Sequence, residues 1–348
     1  MEKINLGLVF GGRSAEHEIS ILSAASVYEV IDRDKYNIVP AAITLNGEWL
    51  GPDASRNVLE EKPDRVPERK KQRGVEGIFE FFRRGIDAVF PLLHGPFGED
   101  GRIQGMLEMF SVPYVGCGVL GSALAMDKAV SKQVFSAAGL PQAEYMVLAD
   151  TGVKKVINDN KVELVARIER EIGYPCFVKP ANMGSSIGIS RVECESEIEK
   201  AFRVALKYDS KLVVEEEVVG REIECSVLGN SKPAASLPGE IIPAADYYDF
   251  ESKYEDEATK LDYPASLPRK KIEEVRSLAV KAFQVLNCSG MARVDFFLRE
   301  EDGEFLLNEV NTIPGFTQYS MYPVLWEVTG LKYGDLIDKL VKLAFEAK

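Results

Sequence analysis

A hydrophobic run that stops on two glycines and restarts at helical spacing constrains this chain most. Residues 4–10 (INLGLVF) have the length and apolar character of a buried strand, and Gly11-Gly12 interrupt them. Ile19, Leu22, Val27, Val30 and Ile31 then recur roughly as one helix face. Two further runs, 38–45 (IVPAAITL) and 86–93 (IDAVFPLL), follow with helical stretches between them. Strands alternating with helices predict a parallel sheet. The charged stretch 52–77, which includes ERKKQR, breaks the alternation and is expected to be a solvated surface insertion.

At 348 residues the chain is long enough for two or three domains, each with its own core. Lys and Arg total 42 against 55 Asp and Glu, a net charge of −13. Such a chain repels phosphate backbones at long range, so no nucleic-acid partner is expected, although a local basic pocket for one nucleotide is compatible. Five cysteines, an odd number without a CxxC pair, make neither a disulfide framework nor a zinc site and point to a reducing compartment. Two histidines, His17 and His94, exclude a histidine-rich metal site. No segment approaches the ~18 apolar residues of a membrane span, so a cytoplasmic protein with no membrane partner is expected.

The composition of the segments predicts three units, 1–116, 117–219 and 220–348. The second holds a helix at 123–138, a strand at 143–148, a charged helix at 162–171 and strands at 176–180 and 213–219. The third holds two strand runs, 294–298 and 304–310, flanking Glu-Asp-Gly as in a hairpin.

Several common sites are eliminated. There is no Gly-Lys dipeptide, hence no P-loop, and the first turn lacks the dinucleotide glycine pattern. Residues 184–188 (GSSIG) match a nucleophile elbow, but that device needs a histidine downstream of the serine, and both histidines lie upstream. The same segment, with Lys179 at a strand end before it, has the small residues of a phosphate loop; a plain glycine turn accounts for it equally well. Lys128 could add a second cation, though a lone helical lysine is usually solvated. In 214–222 (VEEEVVGRE), Glu215 could accept from an adenine amino group and Glu222 from ribose hydroxyls; a solvated strand face explains Glu216 or Glu217 as readily.

Asp295, Glu309 and Asn311 form the sharpest group. Glu309 and Asn311, two apart on a strand, share a face. If the hairpin loop centres on Asp302, Asp295 faces Glu309; a loop of even length would shift that register. Two carboxylates and an amide oxygen suit Mg²⁺, which prefers hard oxygens and substrate phosphates. At the other end, Glu16 begins a helix, where offsetting the helix dipole would explain it. His94 follows a buried strand, where open α/β sheets place their ligands.

Taken in order, GGRSAEHEIS, HGPFGEDGRIQG, AMDK, FVKPANMGSSIGIS, VEEEVVGREIECSVLG, YYDFESKY, GMARVDFFL and NEVNTIPGFTQYSMYP span essentially the whole chain. The set resembles the D-alanine–D-alanine ligases of the ATP-grasp family. The resemblance implies a three-domain α/β enzyme: an N-terminal open parallel domain, then central and C-terminal α+β domains that clasp ATP. It implies ligation of two D-alanine molecules through an acyl phosphate, with Mg²⁺ or Mn²⁺, two ions per site, as cofactor, and a homodimer is expected. By resemblance, Lys128 and Lys179 contact ATP phosphates, Ser185 and Ser186 lie in the glycine loop, with Ser186 binding ATP, and Glu215, Val218 and Glu222 hold the nucleoside. Asp295, Glu309 and Asn311 match the metal ligands. Glu16 matches the residue that receives the first substrate's ammonium, with His94 near its carboxylate. Arg293 and the Gly315 N–H match the oxyanion donors. Lys253, Ser320 and Met321 match the second-substrate carboxylate site, and Tyr254 the lid tyrosine that reaches toward Ser185 and Glu16. Glu216 departs from members that carry lysine there and is assigned no role. Sister ligases that make D-alanyl-D-lactate or D-alanyl-D-serine are the alternative; the tyrosine at 254 favours D-alanine.

Overall fold

The computed structural model describes residues 2–68, 75–148, 161–242 and 260–346. Its first sheet is parallel, in the order β2-β1-β3, from β1 (Ile4–Gly11), β2 (Tyr36–Ile43) and β3 (Ala88–Pro91). Helix α1 (His17–Val30) follows β1 across the Gly11-Gly12 turn. Glycine is required there: Gly11 has φ 86°, and a Cβ would lie 2.3 Å from the Ile43 carbonyl oxygen.

The charged stretch after β2 is not a surface insertion where it is described. Residues 52–61 form α2 (Pro52–Glu61), with proline in the first turn, and Ser55, Val58 and Leu59 buried at helical spacing against β2. Helix α3 (Val75–Phe82) follows, burying Phe81. The charges occupy the solvent side of an amphipathic helix, which local composition alone does not reveal. Residues 69–74, most of ERKKQR, lie outside the described residues.

Helix α4 (Arg102–Met109) leads to the region expected as one helix at 123–138. It is two helices, α5 (Val119–Met126) and α6 (Lys128–Ala137). Asp127 leaves helical geometry (φ −86°, ψ 97°), and its carboxylate accepts the Val130 N–H at 3.1 Å, capping α6.

The second sheet is antiparallel, in the order β4-β7-β5-β6, from β4 (Tyr145–Leu148), β5 (Cys176–Pro180), β6 (Ser190–Val192) and β7 (Leu212–Glu216). One face packs on α7 (Lys161–Glu171) and α8 (Ile198–Ala205) through Ile168, Val178, Phe202 and Val214.

The third sheet, six-stranded and antiparallel among the described residues, runs β11-β10-β8-β12-β13, with β9 beside β8. Its strands are β8 (Gly220–Gly229), β9 (Ala234–Ala235), β10 (Gly239–Ile242), β11 (Lys260–Asp262), β12 (Gly290–Arg299) and β13 (Phe305–Asn311). Helix α9 (Arg269–Val285) shares its core with Phe135 of α6 and Ala125 of α5. Helices α10 (Met321–Val328) and α11 (Tyr333–Glu346) join Leu6, Leu8 and Phe10 of β1 to Leu228 and Met291 of the third sheet in one hydrophobic cluster. The last two helices thereby tie the first sheet to the third. No helix of the described residues is long and apolar enough to cross a membrane.

Candidate active site

One face of the third sheet gathers the acidic residues. On the turn side of the hairpin, Leu298, Phe297 and Phe296 pair with Phe305, Leu306 and Leu307, the register of an even loop, which if continued would set Val294 opposite Glu309. A bulge between Asp295 and Phe296 leaves Asn308 over, and beyond it Asp295 faces Glu309 while Arg293 faces Asn311. On the other side of β12, Glu224 of β8 pairs with Asp295. Arg293 donates two hydrogen bonds to Asp295, Nε to Oδ1 at 2.8 Å and Nη2 to Oδ2 at 2.7 Å, and lies 3.1 Å from Glu224 Oε2. Burial disfavours the guanidinium, but Asp295, Glu224 and Glu309 more than offset it and hold Arg293 firmly protonated. The Asn311 side-chain oxygen accepts the Ile313 N–H at 3.1 Å.

Helix α6 lies between the second and third sheets and presents one lysine to each. Lys128 Nζ donates to Glu309 Oε2 and to the Met183 carbonyl, both at 2.9 Å. One turn later, Lys132 Nζ stands 3.5 Å from Glu215 Oε1 on β7. The other oxygen, Glu215 Oε2, accepts from Lys179 Nζ of β5 at 2.7 Å. Burial pushes the Glu215 carboxyl up, yet Lys132, Lys179 and Lys128 together bring it down to about 2. Lys132 moves downward as well, because burial and the neighbouring lysines outweigh the single carboxylate.

The glycine loop between β5 and β6 meets the first unit. Ser185 (φ 50°) and Ser186 (φ 57°) are consecutive non-glycine residues in the left-handed region, a strain that clusters at binding sites. The Ser185 hydroxyl donates to Glu16 Oε1. Glu16 occupies the N-cap position of α1 without a side-chain capping bond, so its carboxylate serves the loop contact rather than the helix end. His94, three residues beyond β3, is buried. Its Nδ1 donates to the Ile313 carbonyl at 2.8 Å, and its Nε2 lies 3.0 Å from Ser23 Oγ, which accepts the Phe316 N–H. This histidine therefore pins the 311–316 turn to α1. Burial opposes its charge, but Glu99, 3.8 Å away, and Glu16 raise its pKa above the usual value. Burial, aided by Glu16, pushes Glu99 up in turn.

Part of this set faces one cavity of about 320 Å³, within the range of small-molecule sites. Glu16, His94, Lys128 and Ser185 line it from one side; Glu222, Arg293, Asp295, Glu309 and Asn311 line it from the sheet. Gly315, Ser320 and Met321 close one end, where Ser320 Oγ accepts the Thr317 N–H at 3.1 Å. Lys179, Ser186, Glu215 and Val218 are not among its walls; Lys179 and Glu215 are buried against each other behind the loop. Lys253 and Tyr254 lie outside the described residues. Sequence reasoning missed Glu99, Lys132 and Glu224. The last two carried a signal: Lys132 follows Lys128 by one helical turn, and Glu224 follows Glu222 by one strand period.

Among the described residues no three His, Cys, Asp or Glu side chains form a ready metal cage. The donor set still fits a hard cation, since Mg²⁺ is usually held by one or two carboxylates together with substrate phosphates.

The family model described as "D-ala D-ala ligase N-terminus" matches residues 5–117, and the one described as "D-ala D-ala ligase C-terminus" matches residues 134–342. A D-alanine–D-alanine ligase from Halothermothrix orenii is 50% identical over 99% of both chains. One from Bacillus licheniformis is 50% identical over 99% of this chain and 96% of its own. Among solved structures, the D-alanine–D-alanine ligase from Coxiella burnetii superposes with TM-score 0.80 at 35% identity, covering 100% of this chain and 95% of its own. The D-Ala:D-Ser ligase VanG from Enterococcus faecalis gives 0.82 at 34%, covering 99% and 100%. Both halves of the chain match the same enzymes across nearly their full length, and the chain belongs to the D-alanine–D-alanine ligase family of ATP-grasp enzymes.

Proposed function

We propose that this ATP-dependent ligase joins two D-alanine molecules, giving D-alanyl-D-alanine, ADP and phosphate for peptidoglycan precursor synthesis. The supporting observation is the meeting of Glu16 and His94, Lys128 and Ser185, and Arg293, Asp295, Glu309 and Asn311 around one cavity. Glu16 offers a carboxylate to the first substrate's ammonium, and His94 lies beside its carboxylate. Lys128, Lys179 and the loop at Ser185 and Ser186 are cations and donors for the phosphates of ATP; Glu215, Val218 and Glu222 hold the nucleoside. Asp295, Glu309 and Asn311 fit two Mg²⁺ or Mn²⁺ ions, which when bound offset phosphate charge.

The first D-alanine carboxylate attacks the γ-phosphate to give an acyl phosphate. The second D-alanine, its carboxylate bound by Lys253, Ser320 and Met321, attacks that carbonyl as the free amine and expels phosphate. Arg293, held in plane by Asp295 and Glu224, and the Gly315 N–H offset the oxyanion. Tyr254 and its segment exclude water from the acyl phosphate. We assign the units 1–116, 117–219 and 220–348 to substrate, nucleotide, and metal with lid. The enzyme works in the cytoplasm, without nucleic-acid or membrane partners. A homodimer forms through the exposed apolar side chains Phe79, Met109, Phe110 and Leu120.

The test is phosphate release from ATP with D-alanine, L-alanine, D-serine and D-lactate offered in turn. Turnover with D-alanine alone and none with L-alanine is expected. Turnover with L-alanine but not D-alanine would overturn the assignment, and a preference for mixed D-alanine and D-lactate or D-serine would select the sister activity.

A further inference from the structure

Lys132 is the one buried ammonium of this site to which neither the sequence nor the proposed reaction gives a task. It is 2% exposed, and among the described residues its Nζ makes no hydrogen bond. Keeping such a group charged in the interior is costly unless something nearby needs the charge. What lies nearby is Glu215, 3.5 Å away, with Lys179 on the other carboxylate oxygen at 2.7 Å. The remaining groups facing this carboxylate are Lys128 of the same helix, committed to Glu309 and the Met183 carbonyl, and Tyr145 of β4, whose ring lies 5.4 Å from Lys132 Nζ.

Lys179 therefore has two tasks that conflict. On the reading above it holds ATP phosphates, and a single ammonium that turns to a triphosphate releases the carboxylate it was holding. A buried carboxylate left without a counter-charge takes up a proton. An ionised carboxylate only accepts hydrogen bonds, whereas a protonated one also donates. The first accepts the 6-amino group of adenine and repels the 6-oxo group of guanine; the second tolerates both.

We propose that Lys132 is a positioning residue for nucleotide selection: the standing counter-charge that keeps Glu215 ionised and turned toward the base while Lys179 exchanges to the phosphates. This rests on the proposed contact between Glu215 and adenine. Lys132 touches no substrate and acts only through Glu215.

The experiment is calorimetric binding of ATP and of GTP between pH 6 and 9 to the parent, Lys132→Met, Lys132→Arg and Glu215→Gln, with KM for ATP and kcat measured alongside. The parent should prefer ATP equally across this range. Lys132→Met should lose roughly tenfold or more of that preference at pH 6, a loss of about 1.4 kcal/mol, and regain it toward pH 9 as Glu215 ionises again. Lys132→Arg should restore the parent behaviour, and KM for ATP should move more than kcat. If Lys132→Met weakens both nucleotides alike or keeps the parent ratio at every pH, while Glu215→Gln lowers the ratio, Lys132 is merely structural and the site reading survives. If Glu215→Gln also leaves the ratio unchanged, the contact with the base falls and this proposal with it. Should Lys132→Met fail to fold, Lys132→Gln is read by the same ratio.

Discussion

Asp295 and Glu309 stand opposite each other only because Asn308 is bulged out of the ladder between β12 and β13. The bulge turns an even-loop hairpin into one whose two acids share a face with Arg293 and Asn311. Glu309 is also the partner of Lys128. Glu309→Gln keeps the shape and removes the charge, and turnover should fall at least ~10²-fold, the scale of a lost electrostatic stabiliser. Asp295→Asn should behave similarly, while Glu301→Gln in the exposed turn should stay near the parent. Equal kcat in all three variants would refute the placement of the site on this hairpin.

Gly95 supports Glu16 from below. It has φ 73°, and a Cβ there would lie 2.8 Å from Ser14 Oγ and 2.9 Å from Glu16 Oε2. Gly95→Ala should lose about 1–2 kcal/mol through left-handed strain and also raise KM for the first D-alanine by displacing Glu16. Gly139, at φ 64° with nothing within 4 Å of a Cβ, makes the control. Gly139→Ala should carry the strain alone, lowering Tm without changing KM.

The lysine cluster predicts an acid limb to stability. The Glu215 carboxyl, ordinarily at 4.5, sits at about 2 in the fold. A depressed folded value means that its stabilisation is complete above 4.5 and is lost as pH falls toward 2, on the order of 3 kcal/mol in all. Glu215→Gln should therefore be less stable than the parent at pH 7, and urea unfolding should show the gap closing below pH 4.5. A gap that stays constant down to pH 3 would show that the lysines do not hold this carboxylate.

Met109 is 88% exposed beside Phe110 at the end of α4. If the proposed homodimer forms through this surface, Met109→Asp should give a monomer in sedimentation while changing monomer stability by no more than about 0.5 kcal/mol, as exposed substitutions do. A dimer unaffected by it would place the interface elsewhere.

How far the sequence could be read depended on the range of the forces involved. The parallel sheet and the hairpin were legible because apolar runs and glycine breaks act locally. The facing of Asp295 and Glu309 was legible only as a condition, since a bulge is set by the tertiary pairing of β8, β12 and β13 and leaves no local mark. The break at Asp127 was missed because strong helix formers flank it on both sides; a capping aspartate in such a run reads as one more exposed acid. The amphipathic helix at 52–61 was hidden by its own charge. Glu16 and Ser185 carried separate signals 169 residues apart, and only the folded loop joins them.

The helices α10 and α11, which complete the hydrophobic cluster around β1, bear on how the chain is made. Leu6, Leu8 and Phe10 leave the ribosome more than 300 residues ahead of Tyr322, Trp326, Ile337 and Leu340. At ~5–20 residues per second, the first strand waits tens of seconds for the side chains that cover it. Its β-α segment must persist meanwhile with an open apolar face, a natural client for a chaperone, and a chain cut short before residue 321 would leave that face bare for good.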